Sequence, residues 1–87
     1  MATYIISYDL IKTKDYPTLY EAIKSLGRWA KITESTWAIT SDKTCSEVRD
    51  FILQYMDNDD RLFVVQSSGV GAWRNTKCSN EWLKNNL

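Results

Sequence analysis

The stretch Thr3 to Leu10, TYIISYDL, decides the fold class. Tyr4, Ile6, Tyr8 and Leu10 fall on one side and Ile5, Ser7 and Asp9 on the other, the two-residue period of a strand rich in β-branched and aromatic residues. Just beyond it the period changes. Asp15 is placed to cap a helix, Pro17 suits a first turn, and Leu19, Tyr20, Ile23 and Leu26 recur at helical spacing until Gly27. Residues 16–26 therefore read as the first helix. From Arg28 to Thr40 the strand pattern returns, with Trp29, Ala30 and Ile32 before a polar Thr33-Glu34-Ser35 break and Trp37, Ala38 and Ile39 after it, so a hairpin is expected.

Thr44 with Glu47 forms a capping box, and Val48, Phe51, Ile52 and Tyr55 make one stripe of a second helix over 45–56. Asp57-Asn58-Asp59-Asp60 is a turn by composition. LFVVQ, Leu62 to Gln66, is a nearly continuous apolar run that reads as a central strand covered on both faces. The order β-α-β-β-α-β predicts a ferredoxin-like α+β sandwich with a short C-terminal extension. That extension is expected to turn at Gly69 and Gly71, to add an edge strand around Val70 to Trp73, and to end in a helical turn capped by Ser79. The expected core is Tyr4, Ile6, Leu19, Ile23, Leu26, Val48, Phe51, Ile52, Leu62 and Val64.

At 87 residues the chain reads as a single domain, 1–87. A chain of this size buries about 60–65% of its unfolded surface, which leaves thin stability and favours a second protomer. Two helices cover one face of a four-stranded sheet, so the other is left for water, a ligand or another sheet: the face of Ile5, Ser7 and Asp9 if Tyr4, Ile6 and Tyr8 meet the helices, or the reverse, since a one-residue slip swaps them. A homodimer is the expectation, through that face or through the segment Gly69 to Trp73.

Eleven Lys and Arg balance eleven Asp and Glu, so no global field draws the chain to nucleic acid or an anionic membrane, and binding must come from local patches. There is no histidine, which removes imidazole as general base or zinc ligand. Cys45 and Cys78 fall in no CxxC pattern, and neither a signal peptide nor a membrane-spanning run is visible, so a cytoplasmic protein with reduced thiols and no membrane partner is expected.

Tyr8-Asp9-Leu10 closing the first strand, Leu26-Gly27 closing the first helix, and Glu34-Ser35-Thr36-Trp37 resemble the CRISPR-associated adaptation proteins of the second Cas family across residues 3–67. The whole chain, including Ser79-Asn80-Glu81-Trp82-Leu83, also resembles small phage and bacterial proteins labelled SinR family, although no helix-turn-helix pattern is present. The resemblance implies a ferredoxin-like dimer related also to the virulence-associated D-type toxin ribonucleases, with Asp9 at the position of a metal-ligand aspartate. The chain departs from the CRISPR pattern in offering only Lys24 where the first helix is usually Arg-rich, and Glu34 where a Gln is common.

Asp9 is the candidate catalytic and metal residue, since a pair related by a two-fold axis could hold Mg²⁺ and activate water without histidine. The competing reading has Asp9 ending the strand by bonding the Lys12 to Lys14 loop. Lys12, Lys14, Arg28 and Lys31 are the candidate nucleic-acid residues. Asp57, Asp59 and Asp60 lack the Gly and closing Glu of a calcium loop and read as a capped turn. The four Trp can stack bases but more often fill cores and interfaces. Ser67 and Ser68 have no base to activate them, and Cys45 has no visible partner. The expected function is that of a homodimeric binding protein for RNA, DNA or a host or phage protein. The alternative is a metal-dependent endoribonuclease using paired Asp9.

Overall fold

Alternation in the first ten residues and helical spacing after them produce the elements in the order β1 (Ala2–Asp9), α1 (Tyr16–Lys24), β2 (Arg28–Thr33), β3 (Thr36–Ser41), α2 (Cys45–Leu53), β4 (Arg61–Gln66) and α3 (Asn80–Asn86). The structure, a computed structural model, describes residues 1–11 and 16–87. The proposed Asp15 cap, Lys12 and Lys14 lie outside the described residues. The result is an α+β arrangement with a four-stranded antiparallel sheet in the order β2-β3-β1-β4 and three helices.

Register assigns the faces. Ile6 lies between Trp37 of β3 and Val64 of β4, while Ile5 lies between Ala38 and Val65. Tyr4, Ile6, Tyr8, Trp37 and Ile39 join Leu19, Ile23, Val48 and Ile52 in the core beneath α1 and α2, so Ile5, Ser7 and Asp9 point to the other face as alternation predicts. Trp37, 1% exposed and absent from the expected core, is the largest fully buried side chain. Its indole N–H donates to the Tyr8 hydroxyl at 3.1 Å, satisfying a polar group that would be costly to bury alone.

The local signals behind the helices hold in detail. Thr44 Oγ1 accepts the Glu47 N–H at 3.2 Å and Glu47 Oε1 accepts the Thr44 N–H at 2.8 Å, closing the capping box. Gly27 is required by crowding: a Cβ there would run into the carbonyl oxygen of Thr40. Both helices end earlier than their apolar stripes, at Lys24 and Leu53 instead of Leu26 and Met56.

Three expectations are corrected. LFVVQ does not form a central strand, because β4 stands at the sheet edge with Phe63 62% and Val65 41% exposed, while Leu62 and Val64 are half-buried against the core. An apolar run gives no strand order, and this one is covered on a single face. No strand forms around Val70 to Trp73; the Trp73 indole N–H instead donates to Asn80 Oδ1 at 3.0 Å, folding the segment onto the start of α3. Finally, the second sheet face is not bare. Thr3 Oγ1 donates to the carbonyl of Asn86, Ser67 Oγ donates to that of Leu87 at 3.3 Å, and α3 buries Leu83 to 1% exposure. Ala30 and Ala38, paired across β2 and β3 on that face, are buried and leave the flat floor that a helix needs.

Ile52 is fully buried, whereas Phe51 is half-buried with its ring 5.7 Å from that of Tyr55. Ile52→Ala should cost about 2–5 kcal/mol in urea unfolding, and Phe51→Ala less than the ~3–5 kcal/mol of a sealed Phe. A Phe51→Ala cost at the top of that range would contradict the burial pattern.

Candidate functional site

Asp9 closes β1 on the face away from α1 and α2, directly opposite Arg61 of β4. Its Oδ2 lies 3.9 Å from Arg61 Nη1, and both side chains are largely exposed, so the pair is weak and screened by salt. The depression beside it, lined by Ser7, Asp9, Arg61 and Phe63, holds about 160 Å³. That is below the roughly 300–1,000 Å³ of small-molecule sites, but Asp9 also lines a second depression of about 420 Å³ together with Tyr8, Tyr16, Tyr20 and Glu34. A guanidinium facing the carboxylate also opposes a second cation there. Burial pushes the neighbouring Tyr8 phenol well above its ordinary value, against the smaller effect of the Trp37 hydrogen bond, so Tyr8 supplies no phenolate base.

Among the described residues, Asp57, Asp59 and Asp60 form the one group of three metal-donor side chains within 4.8 Å of one another. Asp60 acts as the expected capping residue: Oδ2 accepts the Asp57 N–H at 2.9 Å and Oδ1 accepts the Ile11 N–H at 3.0 Å. Asp9 is not in this group.

Of the candidate basic residues, the two described, Arg28 and Lys31, fall on opposite faces of β2. Lys31 packs on the helix side of β2, its Nζ 4.4 Å from the Tyr20 ring centroid and 5.7 Å from that of Trp37. Arg28 alternates to the opposite face with Ala30. Lys31 Nζ also lies 3.7 Å from Glu34 Oε2, while Lys77 Nζ donates to Glu34 Oε1 at 2.9 Å. Glu34, which by resemblance stands where a Gln is common, is thus an ionic bridge between the β2–β3 turn and the C-terminal segment. The hydrogen bond from Lys77, then its charge and that of Lys31, hold the Glu34 carboxyl below its ordinary value, and Glu34 in turn raises Lys77. The Lys77 N–H also donates to the Ile32 carbonyl at 2.9 Å, so the segment covers part of the β2 edge. Sequence reasoning missed Lys77 because 43 residues separate it from Glu34 and no local pattern marks the pair.

A family model, described as a protein of unknown function (DUF3884), matches residues 2–59. The chain belongs to the DUF3884 family. The DUF3884 match spans β1 through α2 and ends before β4, so the edge strand and the segment that bridges to Glu34 lie beyond it. A DUF3884 chain brings no residue roles with it, and function has to be argued from the surfaces.

The lowered Glu34 and raised Lys77 fix the sign of the pH dependence. Glu34 contributes stability above its unfolded pKa, lost as pH falls through the lowered folded value; Lys77 contributes below its unfolded pKa, lost as pH rises through the raised one. In an NMR titration, Lys77→Ala should move the Glu34 carboxyl titration upward. An unchanged midpoint would show that the bridge is absent in solution.

Proposed function

We propose that this DUF3884 chain is a ferredoxin-like homodimeric binding protein whose β4 edge is completed by a second copy. The element order, and a sheet in which β1 sits between β3 and β4, support the ferredoxin-like assignment. The resemblance to CRISPR adaptation scaffold proteins belongs to the same reading, carried by Tyr8-Asp9-Leu10 and by that order.

The observation that carries the dimer is the contrast between the two sheet edges. At β2 the Lys77 backbone covers part of the edge and Lys31 guards the adjacent surface. Past its first residue, the exposed Arg61, β4 has no charge, proline or bulge, the usual devices that keep an edge from pairing, and it exposes Phe63 and Val65 beside half-buried Ile5. Two copies of one strand meeting antiparallel satisfy a two-fold axis and extend the sheet while covering these side chains. An interface of standard size buries about 800 Å² per partner, which the edge and the strip from Ile5 to Val65 together have to supply. The proposal does not extend to a metal-dependent endoribonuclease, since the Asp9 carboxylate faces the Arg61 guanidinium.

Light scattering at micromolar concentration should give a dimer mass for the wild type and a monomer mass for Val65→Lys, with unchanged helical circular dichroism. A wild-type monomer would overturn the proposal.

A further inference from the structure

We propose a nucleotide-binding groove at the β2 edge, formed where the C-terminal segment crosses it, that takes one flat base and its phosphate. Trp29 of β2 and Trp82 of α3 line a groove of about 350 Å³ together with Lys31 and Lys77. This volume is within the small-molecule range. Trp29 is 42% exposed, held by its ring contact with Trp37 at 5.5 Å and by Lys24 Nζ 4.7 Å from its centroid, and it lines the groove. Two ammonium groups, Lys31 and Lys77, share the single Glu34 carboxylate, which leaves a local positive excess in a chain of zero net charge.

Aromatic faces beside two ammonium groups that share one carboxylate select a ligand that joins a planar ring to an anion, the chemistry of a nucleotide unit. The Lys77 ammonium, half exposed and raised by Glu34, stays protonated at neutral pH and is positioned for phosphate. Free nucleotides and single strands share this chemistry. The groove lies at the opposite edge from β4, so the inference stands independently of dimerisation.

The test is a low-salt titration followed through the indole N–H signals of ¹⁵N-tryptophan-labelled protein, with adenosine monophosphate, a short oligothymidylate, inorganic phosphate and an acidic peptide as separate probes. Trp29 and Trp82 signals should shift saturably with a nucleotide probe while buried Trp37 stays still. Saturation by the mononucleotide alone assigns a free-nucleotide site, and tighter oligothymidylate binding assigns a strand. Trp29→Ala and Lys77→Glu should each weaken binding about tenfold, with circular dichroism confirming that both variants are folded. Static Trp29 and Trp82 signals with both nucleotide probes overturn the proposal, as does equal binding of phosphate or the acidic peptide, since the base would then contribute nothing.

Discussion

A four-stranded sheet has two faces, and α1 and α2 can cover only one of them. Everything else in this chain follows from how the second face is closed. The covered face is sealed by Trp37, Ile6, Ile39 and the inward sides of both helices, with the Trp37 indole bonded to the Tyr8 hydroxyl and the Tyr4 hydroxyl to the Lys43 carbonyl. On the other face α3 buries Leu83 and is fastened to β1 through Thr3, and Ala30 and Ala38 of β2 and β3 are buried. A helix of seven residues cannot reach across four strands. The uncovered remainder is the β4 side, where Phe63 and Val65 meet solvent.

The same segment makes the chain asymmetric. By crossing the β2 edge, Lys77 pairs with Ile32 through its backbone and with Glu34 through its side chain, converting one vulnerable edge into a covered one with a groove beside it. Among the described residues, none covers the other edge in this way. One edge thus carries cations and indoles and the other an apolar strand, which separates a surface fitted to a small charged ligand from one fitted to a copy of itself.

Much of this was legible in the sequence where the cause is local. Alternation in TYIISYDL divided β1 into two faces without saying which meets the helices, the Thr44 and Glu47 pair marked the start of α2, and Ser79 marked α3. Strand order was less legible: LFVVQ is apolar on successive residues, which suits a doubly covered strand, yet nothing local says that β4 is the outermost one. The candidate site fared worst, because its groups meet through the sheet. Arg28 and Lys31 are three positions apart and fall on opposite faces, whereas Glu34 and Lys77, far apart in sequence, share a hydrogen bond. The stacking role considered for the four Trp separates only in three dimensions, with Trp37 in the core and Trp29 and Trp82 at the groove.

The central claim, that a second copy completes the β4 edge, is tested most directly by amide hydrogen exchange across Leu62 to Gln66 at two protein concentrations. The amides of β4 that point away from β1 should be protected at high concentration and lose protection on dilution, while the central β1 amides stay protected throughout. Fast exchange of those outward β4 amides at every concentration would contradict the account.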